Sequence, residues 1–293
     1  MNTKDRIKLY TAIALLFCAA GIALIPRISR RVRQGFAVLC AVFAFLAGFA
    51  FAVAEKESTY TFSAISTGSG QTAILCAGQG SVVFNAGNGG YAASGISGLL
   101  SDQGVTRIDA LIVSSYRNAD CAGVESLLSM CSAAAVYLPA PETDEEQAIF
   151  IALSEAAEAG GGSAEALSED RSIPYHGLTL NIYVNHSDDA DNGRLTLYAH
   201  GGANSLLALG ALQSENLGRL LVTHGVHGAS FLALGSYYSD RPLPGIFRML
   251  AVDHAVLSPY ASADERALAL LSEAGAQTLV TARRGSVSLR VPR

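Results

Sequence analysis

Residues 57–293 contain no lysine, and this absence sets the charge of most of the chain. Their twelve arginines face twenty-three aspartates and glutamates, a balance of −11, whereas residues 1–56 carry +6. A surface that grips nucleic acid normally shows a basic patch or stripe. Arginines gather only at 283–293, which hold four of them. The charge therefore argues against direct contact between this part of the chain and a nucleic acid.

Charged residues are also missing from two apolar runs near the start of the chain. Residues 9–25 and 35–54 contain none, and about 20 apolar residues span a bilayer. We predict two transmembrane helices there, so that residues 1–56 form a hairpin. A cleaved signal peptide is the alternative for the first run, but Pro26 and Arg27 follow it and a second full-length apolar run comes next.

The loop between these runs indicates the orientation. Residues 26–34 carry four arginines, and short basic loops stay on the cytoplasmic side. The start of the chain is also basic, which weakens the assignment. We predict a multi-pass protein of the cell membrane, with the lipid bilayer as a partner and residues 57–293 as an extracytoplasmic domain.

Several short catalytic and metal-binding motifs are absent. The sequence has no CxxC, no HExxH and no GxSxG. Cys76, Cys121 and Cys131 show no zinc-finger spacing; the alternatives are one disulfide with an odd thiol, or small buried thiols, and buried thiols are expected. His224 and His227 have an HxxH spacing in a Gly-flanked loop, and together with Asp253 they form an alternative metal site. The preferred interpretation of the pair is exposed or hydrogen-bonded loop histidines.

What the sequence does contain is an alternation of short strands and helices from Thr59 onward. The order favours an α/β (α+β) fold, with two sheets packed face to face and helices outside them, a four-layer αββα sandwich. The stretch that says most about a site is Leu111–Gly123, LIVSSYRNADCAG. A buried strand there runs into a polar loop around Asp120, and a helix follows from about Ala122. Such loops are common places for active sites.

A family resemblance rests on four short stretches. They are Thr67-Gly68-Ser69-Gly70-Gln71, Phe84-Asn85-Ala86-Gly87, Ile108-Asp109-Ala110-Leu111 and Ser115–Gly123. In this order they resemble the GQGD turn, the IDTG strand end, the (I/L)DALI approach and the T-H-x-H-x-D-H-x-G-G metal motif of ComEC-type competence proteins. Residues 60–291 thus resemble the metallo-β-lactamase-fold domain at the C-terminus of those DNA-uptake channels, in which a membrane helix precedes the domain.

The resemblance fails at the metal ligands. The motif aspartate is kept as Asp120, but its histidine positions hold Tyr116, Asn118 and Cys121. Later positions are altered as well, and they include Ala211 for a metal-bridging aspartate, and Ser236 and Tyr237 for the histidines of VGHHGS. A catalytic zinc needs about three protein ligands and an open water position. The family's zinc is therefore predicted to be lost, leaving no cofactor.

Two further expectations concern this loop. Tyr116, Tyr237 and Tyr238 are expected to converge and fill the cleft that the metals occupy in the family, each hydroxyl finding a partner. Asp120 is expected first to cap a helix start near Gly123, and only second to take part in chemistry.

The function predicted from these features is a binding or scaffolding role for a membrane-anchored pseudoenzyme of the DNA-uptake type. The alternative is a nuclease-like hydrolase with a rearranged metal site. A third hypothesis is a structural subunit that pairs with a channel protein with more membrane helices, because two membrane helices are too few to form the channel.

Overall fold

A computed structural model of the chain describes residues 38–50, 59–67, 70–185, 194–210, 214–235, 244–257, 265–281 and 285–293. The chain divides into two compact units, Met1–Ser58 and Thr59–Arg293. In the first unit, residues 38–50 are helical. The predicted membrane span 9–25, and the ends of the span 35–54, lie outside the described residues. Within the described ranges, no helix is long and apolar enough to cross a membrane.

The second unit contains two seven-stranded sheets. The first has the order β14-β1-β2-β3-β4-β5-β6 and the second the order β13-β12-β11-β10-β9-β8-β7. The strands of the first sheet are β1 Thr59–Thr67, β2 Gly70–Ala77, β3 Gly80–Phe84, β4 Ile108–Ile112, β5 Ala133–Pro139, β6 Ser163–Leu167 and β14 Ser286–Pro292. Those of the second are β7 Arg171–Tyr175, β8 Leu178–Val184, β9 Leu195–Gly201, β10 Asn204–Leu209, β11 Ala229–Leu234, β12 Val252–Leu257 and β13 Gln277–Val280.

Helices cover the outer face of each sheet. Those on the first sheet are α1 Gly89–Asp102, α2 Asn118–Cys121, α3 Val124–Met130 and α4 Asp144–Ala159, and those on the second are α5 Ser214–His224, α6 Pro244–Leu250 and α7 Glu265–Glu273. The amphipathic pattern of the sequence predicts a helix over Asp144–Ala159, and α4 has these bounds. Its Thr143 side chain accepts a hydrogen bond from the Glu146 backbone N–H, and three acids stand in its first turn, where they suit the positive end of the helix.

The alternation of side chains along the strands produces three cores. On β3, Val82 and Phe84 point into the core between the sheets, whereas Val83 packs against the helices. Across the middle core, the rings of Phe62 and Phe231 lie 5.9 Å apart, and burying each contributes about 1.5–3 kcal/mol. A third core lies between the second sheet and its helices. The predicted αββα sandwich of two sheets is thus observed.

The first and fourteenth strands are neighbours although they are far apart in sequence. β1 pairs with β14 in antiparallel register from Thr59–Pro292 to Ile65–Ser286. The Oγ atoms of Ser63 and Ser288 lie 2.8 Å apart. β14 therefore completes the sheet that β1 begins.

The topology brings several strand ends to one edge of the sandwich. β3, β4 and β5 are parallel neighbours in the first sheet, as are β10, β11 and β12 in the second. Gly210, which follows β10, lies so close to Ser114, which follows β4, that an added Cβ would overlap Ser114 Oγ. The carboxyl ends of the two sets of strands therefore meet at this edge. The loop that carries Asp120 begins at this edge.

Candidate functional site

The Asp120 carboxylate lies in a buried hydrogen-bond network at this edge. Asn85 Nδ2 donates to Asp120 Oδ1 across 3.0 Å, and Ser115 Oγ donates to Oδ2 across 2.6 Å. Arg117 Nη2 donates to the same Oδ2 across 2.9 Å. Asp120 is only 4% exposed. Both carboxylate oxygens are therefore bonded, and a guanidinium balances their charge.

Asn85 joins the ends of two neighbouring strands. It follows β3 with a φ of 62°, a left-handed conformation that asparagine tolerates better than most residues. The Oδ1 atom of Asn85 accepts from the Ser114 backbone N–H across 2.7 Å, and the backbone N–H of Asn85 donates to the Ile112 carbonyl across 2.8 Å. One side chain thus holds the β4 loop and Asp120 together.

The helix-start role expected first for Asp120 is wrong. Neither α2 nor α3 has a side-chain cap, and the Asp120 carboxylate is engaged with Asn85, Ser115 and Arg117 instead. The backbone of Asp120 adds a further tie, since its carbonyl accepts from the Ala86 N–H across 2.9 Å. Asp120 fastens the loop after β3 to the loop after β4, a tertiary role rather than a local one.

Tyr116 and Cys121 point into the core beneath the helices. The Tyr116 hydroxyl donates to the Pro139 carbonyl across 2.7 Å, and the Arg194 guanidinium lies 5.4 Å from the ring centre. Burial raises the pKa of Tyr116, although the charge of Arg194 opposes the rise. Burial, together with the charge of Asp120, raises the pKa of Cys121 to about 12. Its thiol donates to the Tyr116 carbonyl across 3.1 Å and stays protonated at neutral pH.

Zinc, the metal of the resembled family, does not fit the motif residues that the structure describes. A cysteine ligand must be a thiolate, whereas the Cys121 thiol is neutral, and three hydrogen bonds already occupy most of the roughly four acceptor sites of the Asp120 carboxylate. Tyr116 is bonded to a carbonyl, and Asn118 is exposed on the surface. The described ranges contain no group of three or more His, Cys, Asp or Glu side chains that could hold a metal. The predicted site residues Ala211, Ser236 and Tyr237, and Tyr238 of the expected tyrosine cluster, lie outside those ranges.

The alternative metal residues are not brought together either. His224 is the last residue of α5 rather than a loop residue. Its ring stacks on Tyr183 at 4.0 Å between centres, and its Nδ1 lies 3.6 Å from Asp170 Oδ2. His227 and Asp253 are exposed. No metal-holding group is found at these three described residues.

Arg194 is a site residue that sequence reasoning missed. Its backbone N–H donates to the Ser114 carbonyl across 2.8 Å, so the start of β9 is tied to the end of β4. Its guanidinium donates to the Ala140 carbonyl across 2.9 Å and to Glu146 Oε1 across 2.7 Å. Because these partners lie 48 to 80 positions away along the chain, no local pattern could have indicated them. Arg117 could have been noticed, since an arginine three positions before an aspartate suits an ion pair on a helical turn.

This edge has buried polar atoms without a hydrogen-bond partner, which include Ser114 Oγ, Gln71 Oε1 and Thr67 Oγ1. The Gln71 amide donates through Nε2 to the Val256 carbonyl of the opposite sheet across 3.3 Å. Gln71 thus ties the first sheet to the second beside the Asp120 network. This edge therefore combines a bonded polar network with buried polar atoms that have no partner.

No protein-family model matches the chain, and no curated protein sequence matches it. Solved structures do resemble it. A mutant of the CmlA β-hydroxylase superposes with a TM-score of 0.54 at 9% identity, over 79% of this chain and 54% of that one. Zinc-bound PqqB from Methylobacterium extorquens superposes with a TM-score of 0.51 at 10% identity, over 78% of this chain and 99% of that one. A metallo-β-lactamase from Pontibacter korlensis matches over 57% of this chain and 83% of its own, with a TM-score of 0.39 at 10% identity.

These similarities concern the fold. The chain spans about half the length of the hydroxylase chain and nearly all of PqqB. At such low identities the shared feature is the mixed α/β sandwich of two sheets of the metallo-β-lactamase type. What those proteins bind or catalyse does not transfer with it.

Proposed function

We propose that this chain is a membrane-anchored, catalytically inactive protein of the metallo-β-lactamase fold, with a binding or scaffolding role related to ComEC-type DNA-uptake proteins. The ion pair between Arg117 and Asp120 carries the proposal. In the resembled motif the aspartate faces a metal ion. Here the guanidinium of Arg117, which is positive as a metal ion is, binds the Asp120 carboxylate across 2.9 Å. The arginine supplies the balancing charge without supplying a Lewis acid.

The chemistry that this exchange removes is the activation of water. A hydrolytic zinc keeps one coordination position open and lowers the pKa of the water bound there. A guanidinium has only N–H donors and cannot coordinate water in that way. Tyr116 and Cys121 are committed to the core, which supports the inference that the loop is now structural.

The anchor is supported by the surface of the helical residues 38–50. Their large apolar side chains are about half exposed or more, and these are Val38, Leu39, Val42, Phe43, Phe45, Leu46 and Phe49. Apolar side chains on every side of a helix are unfavourable in water but not in lipid. This exposure suits a segment within the predicted span 35–54.

The partner proposed for the Thr59–Arg293 unit is a second membrane protein rather than DNA. The balance of −11 over residues 57–293 repels a polyanion. A scaffold beside a fuller uptake channel needs no contact with the nucleic acid itself. Co-purification with a channel protein in mild detergent is the result that this assignment predicts.

The decisive experiment is metal analysis of the full chain, purified in mild detergent, incubated with excess zinc and freed of unbound ion by gel filtration. Far less than one zinc per chain is expected. The matched samples are Asp120→Ala, His224→Ala and His227→Ala. One zinc per chain that disappears in any of these variants would overturn the proposal in favour of a hydrolase with a rearranged metal site.

A further inference from the structure

A cavity of about 600 Å³ lies between α5 and the ends of β7 and β8. Its volume falls within the range of small-molecule sites. Its walls come from different elements, with Glu169 and Asp170 before β7 on one side and Arg219 and His224 of α5 on the other. None of these residues belongs to the Asp120 network.

One part of the wall is held in place by the protein itself. Asp170 Oδ1 accepts a hydrogen bond from the Val184 backbone N–H across 2.7 Å, and its Oδ2 lies 3.6 Å from His224 Nδ1. The His224 ring is stacked on Tyr183. These contacts fix α5 against the end of β8, so the cavity has a defined wall.

The other charged groups of the wall are not used by the fold. Glu169 and Arg219 are both exposed, and among the described residues neither has an ion pair or a side-chain hydrogen bond. They lie on opposite elements of one cavity and do not pair with each other. Opposite charges on different walls of one cavity can each bind one end of a ligand that carries both signs.

Two of the residues that line the cavity are apolar. Leu220 is buried and Val184 is half-buried, so a short carbon chain would contact them while its charged ends face the walls. Most of the described lining residues are polar or charged, which suits a ligand with charged ends.

We infer that this cavity binds a small zwitterion that carries an ammonium and a carboxylate, such as an amino acid or a short peptide. The ammonium lies against Glu169 and the carboxylate against Arg219. A simple anion is disfavoured because Glu169 and Asp170 repel it, and a simple cation leaves Arg219 without a partner, whereas a zwitterion pairs with both walls. The inference deepens the binding role proposed above and uses none of the residues on which the absence of metal chemistry rests.

The test uses triglycine and two blocked forms of it. N-acetyl-triglycine lacks the ammonium and triglycine amide lacks the carboxylate, while the chain of each is nearly unchanged. Calorimetry on the full chain in mild detergent should show saturable binding of triglycine. Each blocked form should bind at least about 10-fold more weakly, because a charge-assisted hydrogen bond is lost.

Two variants assign each end of the peptide to its wall. Arg219→Gln should bind triglycine and its amide equally, and Glu169→Gln should bind triglycine and its N-acetyl form equally. Both side chains are exposed, so the fold should survive, as circular dichroism would check. Arg248→Gln is the matched control, because Arg248 is an exposed arginine on α6 that pairs with Glu273 and does not line the cavity. It should behave as the wild type does.

The inference is overturned if triglycine shows no saturable binding at millimolar concentrations. It is also overturned if the blocked peptides bind as well as triglycine, or if Arg248→Gln has the same effect as Arg219→Gln. Failure here leaves the zinc result untouched, and zinc found at the Asp120 loop would leave the peptide result untouched. The two proposals can therefore fail separately.

Discussion

Arg117 Nη2 lies 2.9 Å from Asp120 Oδ2, and the two side chains belong to one short turn that follows β4. The aspartate side chain is 6% exposed and the arginine side chain 23%. Asp120 therefore relies on Arg117 and on the neutral donors Asn85 and Ser115 for its solvation. Removing the counterion of a buried charge strongly destabilises the folded protein.

Removing the guanidinium should therefore cost more than removing the carboxylate. Arg117→Gln leaves a buried charge without its counterion and should lower the free energy of unfolding by about 2 kcal/mol. This is less than the roughly 3–5 kcal/mol for broken buried pairs, because Arg117 is partly solvated. Asp120→Asn should cost less, and the double variant should cost less than the sum. Urea unfolding of the full chain measures all three.

The control for this series is the exposed pair Arg171 and Glu165, with side chains 49% and 45% exposed. Arg171→Gln should change stability by no more than about 0.5 kcal/mol. If Arg117→Gln costs no more than that, the Asp120 carboxylate does not depend on its arginine.

Substitution of Asn85 separates its hydrogen bonds from its backbone conformation. Asn85→Gly loses both side-chain bonds but accepts a φ of 62° freely, whereas Asn85→Ala loses the same bonds and adds strain. Alanine should therefore be about 1 kcal/mol less stable than glycine here, and both less stable than the wild type. Denaturant midpoints give the comparison. Equal stability of the alanine and glycine variants would show that the left-handed conformation is not retained in the protein.

How much the sequence predicts differs between elements. The buried run of β4 and the periodic α4 were identified, because strong patterns of apolar residues survive any tertiary context. β7 was missed, since Pro174 interrupts it and three of its five residues are exposed; its place at the sheet edge makes both tolerable. α5 was missed because Gly218 and a Gly-flanked histidine pair resembled a loop.

The site was predictable only in its location. Residue types predicted a loop without the metal ligands of the resembled motif, but the role of the Asp120 side chain was misjudged. Helix capping depends on near neighbours and is readable from sequence, whereas the bond from Asn85 comes from 35 positions away. The hydrogen bond from the Arg194 backbone N–H to the Ser114 carbonyl likewise depends on how the sheets are arranged.

Cys121 makes stability depend on pH in the alkaline range. Burial first, and the charge of Asp120 second, raise its pKa from 9.0 to about 12. A raised pKa stabilises the fold below the unfolded value, and this stabilisation is lost as pH rises from 9 towards 12. The group should contribute a fall of up to about 1.4 kcal/mol per pH unit in that window.

Urea unfolding between pH 8 and pH 11 tests this. Cys121→Ala should show a shallower loss of stability than the wild type, while a loss from Tyr116 and Tyr175 remains, because burial raises the pKa of both. Cys131→Ala is the matched control, with a smaller rise in pKa from burial. A wild type and a Cys121→Ala variant with parallel pH profiles would refute the assignment.

Placing histidines at the motif positions of the loop should not create a hydrolase. In the variant that combines Tyr116→His, Asn118→His and Cys121→His, two of the new side chains would replace buried members of the helix-side core. Lower stability is expected, by about 2 kcal/mol or more, without zinc-dependent turnover of a phosphodiester or a β-lactam. Asn118→His alone is the control, because that position is exposed and should be neutral for stability.

Zinc-dependent turnover by the triple variant would show that Arg117 and the residues beyond the loop matter less than proposed. Adding Arg117→Ala to the triple variant sharpens the test. If zinc then binds but turnover is still absent, the guanidinium is what keeps the metal away from Asp120.

The pairing of β1 with β14 also decides when this unit can finish folding. The two strands meet across 225 positions at Ser63 and Ser288, and contacts of such long range close late and slowly. While the polypeptide leaves the ribosome, one side of β1 has β2 as its partner and the other stays open until residues 286–292 emerge. Newly made chains therefore expose an unsatisfied strand edge, next to the point where the two units join, for nearly the whole time that the second unit is being synthesised.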